Sequence, residues 1–168
     1  RLSAYLHHGH VSPLRIAREA ARDGGKGANK FLDELLIWRE LAFNFCWHTR
    51  NPESLDCLPE WAQDTLAEHA DDTRPQLIDD ESLARARTQD ELWDLMQGSL
   101  LRHGELHNNL RMTWAKAIPY WTRDPQHALQ QLITLNHRYA LDGSDPNTYD
   151  ALLWAHGLFA LAVDEQPV

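Results

Sequence analysis

Two tryptophans and an arginine share one face in the stretch "HNNLRMTWAKAIPYW", His107 to Trp121. Trp114 and Trp121 are seven residues apart, about 700° of turn at roughly 3.6 residues per turn, so on a helix they line up. Arg111 lies three residues before Trp114, on nearly the same side. Most tryptophans in most proteins are large core residues. Here polar groups accompany them. Arg111, Asn136, Asp142 and Asp145 sit on or beside apolar helices. A buried polar group must find a partner. A large heteroaromatic ligand with amide edges and phosphates would supply one for each.

Other chemistry is poorly supported. His7, His8 and His10 crowd "HHGH", and His103 and His107 are at i,i+4. Neither group completes a zinc pattern, and "HGELH" is not the HExxH order. These histidines are expected to be exposed or capping, with no metal bound. No Gly-x-Ser-x-Gly elbow, P-loop or Gly-x-Gly-x-x-Gly run occurs. Cys46 and Cys57 form no redox spacing and read as reduced thiols.

The elements that must position these groups are helical. Among 168 residues there are 26 Leu and 19 Ala, against 5 Ile and 3 Val. β-branched residues favour strands, so the ratio points to helices. Ser12-Pro13 opens one helix, which stops at Gly24-Gly25. Asn29 caps a strongly apolar second helix, "KFLDELLIWRELAFNFCWH". Pro59 starts a third, and Asp79 or Asp80 caps a short fourth. "TQDE", Thr88 to Glu91, reads as a capping box for "LWDLMQGSLLRHG". The tryptophan helix follows, irregular near Pro119. Asp124-Pro125 caps the next, and a last helix, "TYDALLWAHGLFALA", ends near Asp164. The expectation is a single all-α domain of about eight helices over residues 1–168, with no membrane span.

Net charge is −9, and it is uneven. Glu53 to Asp94 holds 13 acids and 3 bases, while Arg102 to Arg123 holds four bases and one acid. The acidity is local, so it does not exclude a nucleic-acid partner for the tryptophan helix.

Four segments resemble the flavin-binding helical domain of the DNA photolyase and cryptochrome superfamily, most closely the class II cyclobutane-dimer photolyases. "RLSAYLHHGHVS" is similar to the family's Thr-x-Leu-Ser-Pro-Tyr-Leu-x-Phe-Gly-x-Ser. "DELLIWRELAFNFCW" resembles Glu-x-x-x-Trp-(Arg/Lys)-Glu-x-x-x-Asn-Phe-Cys. "LRMTWAKAIPYW" resembles Leu-Arg-Met-Tyr-Trp-Ala-Lys-Lys-Ile-x-x-Trp. "LNHRYALDGSDPN" resembles Leu-Asn-Asp-(Arg/Lys)-Tyr-x-Leu-Asp-Gly-Arg-Asp-Pro-Asn. Asn108 stands where class II proteins usually carry Gly, and the match fades after Trp154. The chain reads as truncated at both ends and without the family's N-terminal α/β antenna domain.

The resemblance implies FAD as cofactor, DNA carrying a pyrimidine dimer as partner, and light-driven repair without net redox change. It further implies a monomer acting in the cytoplasm, on the bacterial nucleoid. By the matched positions, an electron relay would run through Trp114, Trp93 and Trp121. FAD contacts would come from Ser3, Arg39, Asn108, Arg111, Asn136, Asp142 and Asp145. Arg111 and Asp142 would form an ion pair beside the isoalloxazine ring, with Asn136 facing its N5. Glu34, Trp38, Met112 and Trp154 would hold the flipped-out dimer. The alternatives are a flavin photosensor that repairs nothing, and a helical interaction module that has lost flavin.

Overall fold

The computed structural model describes residues 2–157. Among these there are helices and turns and no strand. Helix α1 spans Ser3–His7 and α2 spans Pro13–Asp23. Helix α3, Gly25–Asp33, runs through a π turn, Glu34–Trp38, into α4, Arg39–His48. Then come α5, Glu60–Glu68, and α6, Asp80–Ala84. The second half holds α7, Glu91–His103, α8, Asn108–Ala117, α9, Pro125–Tyr139, and α10, Pro146–Trp154.

The architecture is all-helical, as expected, with differences at several ends. Helix α1 is an addition to the sequence reading. Asn29 is not a cap but lies inside α3, because Gly24 and Gly25, at φ 69° and 84°, make the turn and let the helix restart at once. Thr88 is not the cap of α7 either. Gln89 has φ 72°, so the helix starts later, with Asp90 accepting from the Trp93 amide at 2.9 Å. The Thr88 hydroxyl instead donates to Asp94 at 2.8 Å. Helix α10 begins at Pro146, capped by Asp145, two residues before the expected start, and ends at Trp154. The expected continuation from residue 158 to Asp164 lies outside the described residues.

The core forms where α7, α8, α9 and α10 meet. Helix α9 buries Leu129, Leu132, Ile133 and Asn136, positions spaced to share one face. Trp93 and Trp114 are 1% and 0% exposed and are the largest side chains fully enclosed. Helix α4 packs against α10. It reads as strongly apolar, yet it buries only Arg39 and Ala42. Leu41, Phe43 and Trp47 lie on its open side, Trp47 at 85% exposure.

Asp150, on α10, is buried among these elements with one carboxylate oxygen unpartnered among the described residues. Burial lifts its pKa from the ordinary 3.8 to about 6. The folded state therefore holds this proton more tightly than the unfolded chain does. Stability from this group is full below about pH 4 and is lost as pH rises to about 6, a change of about 3 kcal/mol. Asp150→Asn is expected to raise the melting temperature at pH 8 and to change it little at pH 4. Comparing variant with parent cancels the contribution of His156, whose pKa burial lowers. An equal difference at both pH values would contradict the assignment.

Candidate functional site

Trp93 stands between Trp114 and Trp121. Its ring lies 6.0 Å from Trp114, nearly parallel at 9°, and 5.5 Å from Trp121, edge-on at 83°. Trp114 lies in the last turn of α8 and Trp121 just beyond that helix, and the indole of Trp93, from the neighbouring α7, lies against both. The chain turns from α8 into a 3-10 segment, Ile118–Tyr120, at Pro119, which leaves Trp121 half-buried at the outer end. The array thus grades from a fully enclosed ring to one that reaches the surface.

The two inner indoles each have a fixed acceptor. The Trp93 Nε1–H donates to the Trp114 carbonyl at 2.9 Å. The Trp114 Nε1–H donates to Gln97 Oε1 at 3.1 Å. Gln97 is itself 0% exposed, and its Nε2 donates to the Ala84 carbonyl at 3.2 Å. That carbonyl ends α6, where helix carbonyls lack intrahelical partners. Gln97 was not singled out from sequence. Its position four residues after Trp93, on the same face of α7, was the available signal.

Next to the inner indole lies a buried polar cluster. Arg111 Nη2 donates to Asp142 Oδ1 at 3.0 Å, both residues being 9% exposed. Asn136 is 0% exposed, and its Nδ2 reaches the Gly143 carbonyl at 3.5 Å. Both side chains thus converge on the "LDGSD" loop between α9 and α10. The loop is pinned by Leu141 N–H to the Gly104 carbonyl, 2.9 Å, and by the Thr148 hydroxyl to the Asp142 carbonyl, 2.9 Å. Gly143 is required there, because a Cβ would overlap the Asn136 carbonyl oxygen, a backbone atom. Gly143→Ala is expected to cost about 1–3 kcal/mol through this overpacking, read as a lower urea midpoint. An unchanged midpoint would mean that the loop yields freely.

Two buried polar atoms in this cluster have no partner among the described residues: Arg111 Nε and Asn136 Oδ1. One is an open donor and the other an open acceptor. A planar ligand with amide edges fits such a pair, since it offers both an acceptor and a donor.

A second cluster joins α1, α4 and the same loop. Arg39 grips Asp145 through two parallel bonds, Nη1 to Oδ1 and Nη2 to Oδ2, each 2.9 Å, in a buried site. Such forked pairing is geometrically specific. His7 Nδ1 meets Asp145 Oδ2 at 3.3 Å, and His8 Nε2 meets the Leu141 carbonyl at 3.0 Å. His7 and His8 therefore clip α1 to the loop, a role beyond the exposed or capping one expected, while His10 is exposed. His107 does cap, accepting from the Asn109 amide at 3.3 Å. Ser3 and Asn108 are exposed first-turn residues of α1 and α8.

Trp38 and Trp154, matched by resemblance to positions that hold a dimer, also come together. Trp38 and Trp154 stack at 5.7 Å and 22°, Trp154 being 39% exposed. Trp38 ends the π turn that Glu34 begins. Such turns are rare and recur at functional sites, and nothing in the sequence marked this one. Glu34 is exposed and pairs with Lys30 at 2.6 Å. Met112 is half-buried on α8.

No family model matches the chain. Curated relatives do. A deoxyribodipyrimidine photo-lyase of Oryza sativa subsp. japonica is 42% identical over 99% of the chain. One of Potorous tridactylus is 41% identical over 92%, and one of Methanothermobacter thermautotrophicus 39% over 93%. The chain spans about a third of the length of these relatives, 34%, 30% and 35% respectively. With 39–42% identity over more than nine-tenths of its length, the chain belongs to the DNA photolyase superfamily.

Proposed function

We propose that residues 1–168 form the FAD-binding part of a light-driven deoxyribodipyrimidine photolyase of class II type, acting on pyrimidine dimers in DNA. The observation that carries this is the graded indole array whose enclosed end, Trp114, is one helical turn from the buried Arg111–Asp142 pair. The relatives' names support the activity. When bound, the flavin supplies one-electron chemistry driven by light.

The chain's own residues orient and tune it. Arg111 offers its open Nε–H and a positive charge that stabilises negative charge on the ring in a low-dielectric site. Asp142 holds that guanidinium in place. Asn136 offers an open amide oxygen. Ser3 and Asn108, both exposed, would contact the cofactor's outer parts. Arg39 and Asp145 would hold the cofactor indirectly, by fixing the loop before α10, since their charges are already matched to each other. With a flavin bound, Trp114 would be the first electron donor, Trp93 would re-reduce Trp114, and Trp121 would carry the positive charge toward solvent. Trp38 and Trp154 supply flat faces for a flipped base, Met112 a soft contact, and Glu34 a carboxyl for a thymine edge.

The test of the cofactor assignment is the visible spectrum of the purified full-length protein. A bound flavin is expected, and failure to retain or take up FAD would overturn the assignment. The dimer pocket has a separate test. Base–aromatic stacking is worth roughly 1–3 kcal/mol per base, so Trp154→Ala should weaken binding to a single-dimer oligonucleotide by about tenfold. Binding to undamaged DNA should change little, because phosphate contacts dominate there. Glu34→Gln should weaken the same preference while leaving the flavin spectrum intact. Should the parent protein itself show no preference for the damaged strand, a flavin photosensor is the better reading.

A further inference from the structure

We propose that Gln97 is a positioning residue for electron transfer: it stabilises the oxidised form of Trp114 while leaving the indole proton in place. This inference rests on the reading of Trp114 as an electron donor to a photoexcited flavin.

The amide has one satisfied orientation. An indole N–H only donates, and a backbone carbonyl only accepts. Gln97 must therefore turn its oxygen to Trp114, at 3.1 Å, and its nitrogen to the Ala84 carbonyl, at 3.2 Å. Both side chains are 0% exposed, so no water competes for the bond. A hydrogen bond fixed in a low-dielectric interior acts with little screening.

The chemistry follows from that geometry. One electron leaves the Trp114 π-system for the excited flavin. The indole is left with one positive charge and its N–H intact. That charge strengthens the bond to the Gln97 oxygen, since charge-assisted hydrogen bonds are roughly twice as strong as neutral ones. It also makes the N–H far more acidic. A carboxylate or imidazole in the position of Gln97 would take the proton and trap a neutral radical. An amide oxygen is too weak a base to do so. The charge stays mobile, and an electron from Trp93 returns Trp114 to neutrality. The ring of Trp93 is 6.0 Å away, and its own N–H also ends on an amide oxygen, the Trp114 carbonyl. Neither buried indole is offered a strong base by these bonds.

The experiment uses the full-length protein loaded with FAD, in a Trp93→Phe background that holds the charge on Trp114. Transient absorption after a laser flash separates the protonated radical cation from the neutral radical. With Gln97 present, the cation is expected. Gln97→Glu keeps the shape and introduces a base, and the neutral radical should replace the cation once pH exceeds the new carboxyl's titration. Gln97→Met keeps the length and removes the acceptor. The yield of oxidised Trp114 should fall by about fivefold, which is the difference between the hydrogen bond to the charged indole and the one already made by the neutral indole. Difference resonance Raman against Trp114→Phe should report loss of the indole hydrogen bond in the Met variant. A neutral radical already present with Gln97 would overturn the proposal. So would a cation that persists at every pH in Gln97→Glu, or a Met variant with the bond lost and the yield unchanged. If Gln97→Met fails to fold, the near-isosteric Glu variant decides. Trp114→Phe alone tests the underlying relay: normal flavin photoreduction there refutes the relay, whereas blocked photoreduction with an indifferent Gln97 refutes only this proposal.

Discussion

Trp114→Phe is expected to leave FAD bound and to slow its light-driven reduction by roughly a hundredfold or more, about 2.7 kcal/mol on the barrier. Phenylalanine keeps a large apolar ring in a site that is 0% exposed, so packing against Trp93 survives in part. What disappears is the easily oxidised indole. The substitution also strands the Gln97 oxygen, and an unsatisfied buried acceptor costs about 1–3 kcal/mol of stability. The variant should therefore melt earlier yet still fold. The measurement is the decay of oxidised-flavin absorbance under blue light with an external reductant, in the full-length protein. Kinetics equal to the parent's would remove Trp114 from the path.

Arg111→Leu should have the largest effect on stability. It removes the partner of Asp142, whose carboxylate is then left buried and uncompensated. Breaking such a pair costs about 3–5 kcal/mol, against a typical domain stability of about 5–15 kcal/mol. Flavin affinity should fall with it, because the open Nε–H is lost too. The double variant Arg111→Leu with Asp142→Leu should recover part of the stability and none of the affinity. Urea unfolding and flavin titration read the two effects apart. Full stability in the single variant would mean that Asp142 finds water or another donor.

Much of this architecture is legible in sequence because it rests on local chemistry. Asp124-Pro125 starts α9 as expected, Asp79 caps α6, and Pro119 breaks α8 into a 3-10 turn. The tryptophan spacing assumes one unbroken helix, whereas α8 ends at Ala117 and Trp121 follows a 3-10 segment, so it is the resemblance that groups the three indoles. Less was visible where tertiary contacts decide. The α3–π–α4 helix gains a π turn at Glu34–Trp38 that no propensity signals. The Arg39–Asp145 grip links residues 106 apart. Gln97 looks like an ordinary helix residue until its two partners, on α6 and α8, are placed. Helix α4 misleads in the other direction. Its apolar composition suggests a buried helix, yet Leu41, Phe43 and Trp47 are exposed.

The most direct test of photolyase activity is a single-dimer oligonucleotide incubated with the flavin-loaded, pre-reduced full-length protein, in light and in darkness. Pre-reduction bypasses the tryptophan relay and isolates repair. The expected result is loss of the dimer under blue light only, with the same flavin spectrum before and after. A protein that binds FAD and photoreduces it, yet leaves every dimer intact under light, would contradict the proposed repair activity.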